Sequence, residues 1–106
     1  MQTPPLDPEA GTIDRDDAAV LRLVVRNHPG VLSHVSGLFA RRAFNVDGIL
    51  CLPIGDGARS AILLLVRADD RLEQLVRQLA KLEDVLEIRQ DPEGRRVFAA
   101  VGACLR

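Results

Sequence analysis

Two strand–helix–strand units in tandem, folded as a four-stranded antiparallel sheet with two helices on one face, are the α+β architecture predicted by this 106-residue sequence. Three observations carry it. Leu21-Arg22-Leu23-Val24-Val25-Arg26 is echoed by Ile62-Leu63-Leu64-Leu65-Val66-Arg67, and each copy is followed by a helix-like and then a strand-like stretch. The apolar spacing alternates between two residues, as in a half-buried strand, and three or four, as on one helix face. Clusters of glycine, proline, asparagine and aspartate fall between these stretches. The resulting β-α-β-β-α-β order is the split βαβ, or ferredoxin-like, arrangement, in which right-handed crossovers put both helices on the same side. The two most apolar strands, first and third, belong in the middle.

The elements follow in order. Residues 1–17 carry Asp7, Glu9, Asp14, Asp16 and Asp17 against a single Arg15, with Pro4, Pro5, Pro8 and Gly11 among them. Such a stretch buries too little apolar surface to offset the entropy of ordering, so it is expected to be a disordered acidic tail. From Ala18 to Arg26, Leu21, Leu23 and Val25 share one strand face and Val20, Val24 and two arginines the other. Asn27-His28-Pro29-Gly30 ends that strand. Val31, Leu32, Val35, Leu38, Phe39 and Ala43 then recur at helical spacing. Gly37 inside this helix weakens it by about 1 kcal/mol relative to alanine, and the expected reason is close approach of another backbone.

Asn45 to Ile54 reads as the second strand, and Pro53 within it, lacking an N–H, argues for a sheet edge. Gly55-Asp56-Gly57 reverses the chain into the third strand, Arg59 to Arg67, apolar enough to be covered on both faces. Asp69 and Asp70 start a second helix, with Leu72, Leu75, Val76, Leu79 and Leu82 on one face. Val85 to Gln90 is a short fourth strand, and Asp91-Pro92-Glu93-Gly94 suits a type I turn. The expected domain therefore spans residues 18–91. Residues 92–106 form an apolar C-terminal extension outside the regular plan.

Composition narrows the function. A formal net charge of -1 argues against a nucleic-acid binder built on electrostatics. The three aromatics, Phe39, Phe44 and Phe98, all avoid the central strands, where an RNA-recognition module would need them for base stacking. Cys51 and Cys104 have neither disulfide-framework nor zinc spacing; they are expected to be buried small hydrophobes in a reducing compartment. No signal peptide or apolar run long enough to span a bilayer is visible, and a cytoplasmic location is expected. The only histidines, His28 and His34, have no evident nucleophile or acidic partner, so catalysis is not expected.

What remains is a binding site. A helix that starts just after Gly30 presents amides that attract an anion, such as a ligand carboxylate. Asn27 and Asn45 each offer an amide donor and acceptor, the chemistry that holds an amino acid's ammonium and carboxylate together. The plainer reading is that Asn27 caps a turn and Asn45 ends a helix.

The run Val25-Arg26-Asn27-His28-Pro29-Gly30-Val31-Leu32, followed by Ala43-Phe44-Asn45-Val46-Asp47-Gly48-Ile49, resembles the ACT domain. Those blocks, with Gly37 to Val46, Gly48 to Ile54, Arg71-Leu72-Glu73-Gln74 and Lys81-Leu82-Glu83-Asp84-Val85, are similar to the regulatory small subunit of acetohydroxyacid (acetolactate) synthase, isozyme I type. The likeness covers residues 18–90. It implies a non-catalytic homodimer, paired through edge strands, that binds a branched-chain amino acid such as valine, activates the catalytic large subunit and confers feedback inhibition. Asn27, His28, Gly30, Val31 and Leu32 would come from one subunit, and Asn45, Val46 and Ile49 from the other. Thiamine diphosphate, magnesium and FAD would belong to the catalytic partner, with no cofactor or metal in this chain, no nucleic acid and no membrane. The alternative is a structural assembly module with a vestigial ligand site.

Overall fold

The computed structural model describes residues 17–106. Its elements are β1 (Ala18–Arg26), α1 (Val31–Arg41), β2 (Val46–Ile54), β3 (Arg59–Arg67), α2 (Leu72–Ala80), β4 (Val85–Gln90) and α3 (Gly94–Cys104). The strands form one antiparallel sheet in the order β2-β3-β1-β4, so the two apolar repeats take the centre and β2 is an edge, as Pro53 requires. Ala18 to Arg26 pairs without interruption against Arg67 to Arg59. The first sixteen residues, nearly all of the expected acidic tail, lie outside the described residues. Asp17 itself already joins the fold, its carbonyl accepting from the Ala68 amide.

The main core follows from strand alternation. Leu21, Leu23 and Val25 of β1 and Ile62, Leu64 and Val66 of β3 share one face, buried beneath Val35, Leu38 and Phe39 of α1 and Leu72, Leu75 and Leu79 of α2. A fully buried side chain of this kind is worth about 1.5–3 kcal/mol, so this layer dominates stability. Helix α1 stops in a Schellman motif: Ala43 takes φ 53, and the Phe44 amide bonds back to the Phe39 carbonyl at 3.0 Å. Arg71 locks that end, donating to the Arg42 carbonyl at 2.7 Å while its guanidinium stacks 4.7 Å above the Phe44 ring.

The C-terminal extension, outside the β-α-β-β-α-β plan, is a helix. Asp91 leads into it, its side chain accepting from the Glu93 amide and its carbonyl from the Gly94 amide, the turn expected there. Helix α3 lies on the sheet face opposite α1 and α2 and buries Phe98 against Val20 and Leu65. Two glycines make this approach possible: a Cβ on Gly94 would stand 2.6 Å from Val20 Cγ1, and one on Gly48 2.9 Å from the Phe98 ring. The expectation that β3 is covered on both faces holds only where α3 reaches, since Ala61 and Leu63 remain half-exposed.

Two further expectations are overturned. Both cysteines are exposed, Cys51 on an edge strand beyond helix cover and Cys104 in the last turn of α3. Gly37 meets no neighbouring backbone; a Cβ there would touch only the Arg41 guanidinium of its own helix, at 3.3 Å.

Candidate functional site

The turn between β1 and α1 is stitched to the body from both sides. On the β4 side, the Arg26 amide donates to the Asp84 carbonyl at 3.0 Å and Arg26 Nη1 to the Glu83 carbonyl at 2.9 Å. On the β3 side, the Asn27 amide donates to the Ala58 carbonyl at 3.0 Å and Asn27 Nδ2 to the Gly57 carbonyl at 2.7 Å. Central position in the sheet explains this: a strand flanked by two others delivers its last residues between the loops that end both neighbours. The Asn27 side chain is thus oriented by the β2–β3 hairpin, and among the described residues its Oδ1 meets no donor.

Gly30 then turns the chain into α1 with φ 90, a left-handed conformation that other residues adopt at a cost. No side chain caps this helix start, and its first turn carries no acidic residue. First-turn amides have no intrahelical acceptor. The Val31 amide is partly occupied by the His28 carbonyl at 3.3 Å, while Leu32 sits half out of the surface at 42% exposure with Val31 buried beneath it. The helix start expected after Gly30 is therefore in place, with one of its amides already engaged.

His28 and His34 prove to have an acidic partner after all. Asp84, in the α2–β4 connection, places Oδ1 2.7 Å from His28 Nε2 and Oδ2 3.6 Å from His34 Nδ1. Its side chain is only 13% exposed, so the pair is well shielded on one side. The hydrogen bond to Asp84, and after it the one to the Pro29 carbonyl, raise His28 above the ordinary histidine value, and His28 in turn holds Asp84 below the usual carboxylate range. Asp84 lies more than fifty residues along the chain from the turn it grips, and no local spacing announces such a contact.

Asn45, Val46 and Ile49 sit elsewhere. Val46 faces Val66, which faces Ala19, whereas Ile54 faces Arg59, which faces Arg26. Asn45 and Asn27 are thus at opposite ends of one sheet, roughly 25 Å apart at the usual rise per residue. Asn45 bonds weakly to Asp47 Oδ1 at 3.4 Å and lines a shallow pocket with Phe44, Arg67 and Arg71. Ile49 lies on the helix side of β2 at 37% exposure, beyond the reach of α1. The chain by itself unites Asn27, His28, Gly30, Val31 and Leu32, and leaves the second group apart.

The described residues contain no cluster of histidine, cysteine or acidic side chains able to hold a metal ion, and no helix long and apolar enough to cross a membrane. Residues 21–87 match the model of the AHAS small subunit-like ACT domain. The chain is 57% identical over 82 residues to the acetolactate synthase isozyme 1 small subunit of Escherichia coli, covering 77% of this chain and 85% of that protein. It is 39% identical over 74 residues to a probable acetolactate synthase small subunit of Methanothermobacter thermautotrophicus, of which it spans 44%. The solved acetolactate synthase small subunit of Thermotoga maritima superposes with a TM-score of 0.64 at 34% identity, over 71% of this chain and 48% of that one. An unbroken match from Leu21 in β1 to Glu87 in β4, through both halves of the repeat, makes this chain a member of the AHAS small subunit-like ACT domain family.

Proposed function

We propose that this chain is the non-catalytic regulatory subunit of an acetohydroxyacid synthase, and that it senses valine at a site shared by two copies. One observation carries the reading: Asn27 and Asn45 lie at opposite ends of the sheet, beside opposite ends of the free edge strand. Antiparallel pairing of β2 with β2 of a second copy places the head of one strand against the tail of the other. Asn45, Val46 and Ile49 of the second chain then arrive where Asn27 and the α1 amides of the first begin. The ligand carboxylate sits on the amides around Gly30 to Leu32, Asn27 Oδ1 and Asn45 orient its ammonium, and Val31, Leu32, Val46 and Ile49 shape an apolar wall. Catalysis, with thiamine diphosphate, magnesium and FAD, is left to the large subunit.

Feedback requires that valine favour one arrangement of the subunits over another, because equal affinity for both shifts nothing. Loss of a hydrogen bond to a charged group costs about 1.5–3 kcal/mol, so Asn27→Ala is expected to weaken valine binding roughly 10- to 150-fold. Unchanged affinity by titration calorimetry would remove Asn27 from the site. The second reading, an assembly module without a working ligand site, draws on Asn27 Nδ2 already donating to the Gly57 carbonyl. Co-purification with the catalytic subunit, assayed with and without valine, separates the two: activation without any valine response favours the module.

A further inference from the structure

Both ring nitrogens of His28 face oxygens that accept. Nδ1 is 2.7 Å from the Pro29 carbonyl, and Nε2 is 2.7 Å from Asp84 Oδ1. A carbonyl has no proton to give, and Asp84 is held in its ionised form. The two contacts are both hydrogen bonds only when both nitrogens carry protons, that is, as the imidazolium. A neutral ring would turn a lone pair on one of these oxygens and lose that bond. The fold has built the acceptor cage of a cation into the turn, directly before the amides of α1.

We propose that His28 is an imidazolium latch, held by Asp84 as its positioning residue, that keeps the Asn27–Gly30 turn in the form that receives a carboxylate, so that the turn binds its ligand more tightly in mildly acidic than in mildly alkaline solution. The proposal rests on the valine-sensing reading and adds a proton to it. The charged groups around the latch are Asp84 and Glu83 in the α2–β4 connection, His34 on α1, Arg26 at the end of β1 and Asp56 in the β2–β3 hairpin. Arg26 opposes the imidazolium and Asp84 favours it. Glu83 meets Arg26 through its backbone carbonyl, and Asp56 accepts from the Ala58 amide. His34 approaches the other oxygen of Asp84 and leaves the short contact to His28.

The sign follows from the direction of the shifts. With its pKa raised in the fold, His28 contributes fully below the ordinary histidine value, about 6.5, and the contribution disappears as pH climbs through the raised value. With its pKa lowered, Asp84 sustains the latch down to acid conditions. A nearby positive charge also favours a ligand carboxylate, in the same direction.

The experiment has two arms on the full chain. Long-range proton–nitrogen NMR of the histidine rings, without ligand, follows His28 protonation from about pH 5 to about pH 9. Titration calorimetry measures valine affinity at about pH 6 and about pH 8.5. Expected are a His28 titration above the ordinary value that falls back in Asp84→Asn, and a wild-type affinity about three- to tenfold lower at the higher pH. That pH dependence flattens in Asp84→Asn and persists in His34→Gln. An ordinary His28 titration in the wild type, or affinity independent of pH, overturns the latch. A raised titration with no valine binding at either pH overturns the valine reading and the coupling together, whereas an ordinary titration with valine bound overturns the latch alone.

Discussion

At the scale of single residues, the fold spends conformational strain at one helix stop. Ala43 holds a left-handed φ of 53 at the position after α1 where glycine is usual. The strain is kept because the next residue, Phe44, must drop into the core and receive Arg71 on its ring. Ala43→Gly removes the Cβ penalty and is expected to stabilise the chain by about 0.5–1 kcal/mol, read as a higher urea midpoint with unchanged slope. A lower midpoint would mean that the alanine methyl group makes contacts worth more than its strain. The candidate site was partly legible at this scale. Asn27, Gly30 and the helix start could be read from the Asn-His-Pro-Gly order, since turn chemistry is local. Asp84 could not, because its grip on His28 depends on β4 lying beside β1, and that adjacency is a property of topology.

At the scale of elements, β1, β3 and the first two helices declared themselves because each buries a whole face, whereas β2 and β4, half-buried at most, stood out by the turn residues that bound them. Leu21, Leu23 and Val25 alternate cleanly, and Leu72, Leu75 and Leu79 return at three- and four-residue spacing. Helix α3 did not, since Phe98 is its one large buried side chain, and Val97 and Val101 stand at 42% and 39% exposure. A helix anchored by a single ring leaves no stripe to read. Its docking instead depends on close approach at Gly94, where an added Cβ would strike the β-branched, buried side chain of Val20. Gly94→Ala is expected to cost about 1–3 kcal/mol by forcing α3 off the sheet. The amides of α3 should then exchange with deuterium faster while those of β1 and β3 keep their protection. Unaltered exchange in α3 would show that Val20 can yield without moving the helix.

At the scale of the whole molecule, the unbalanced feature is the β2 edge, which no other strand among the described residues covers. Strand β2 is nine residues long and carries Ile49 at 37% and Leu52 at 65% exposure on its two faces. A long apolar edge invites pairing with another strand. The same strand separates Asn45 from Asn27, so one interface would explain both the edge and the divided site. Pairing β2 with its own copy would be isologous: each chain would lend its turn to one site and its strand head to the other, for two equivalent ligands per dimer. The double variant Cys51→Lys with Leu52→Lys places a charge on each face of the edge without touching the buried core or any residue of the candidate site. It is expected to be a folded monomer by light scattering, with its thermal unfolding still cooperative, and to lose valine binding in calorimetry although Asn27, His28 and the α1 amides are intact. Valine binding retained by that monomer would place the whole site within one chain and end the shared-site reading.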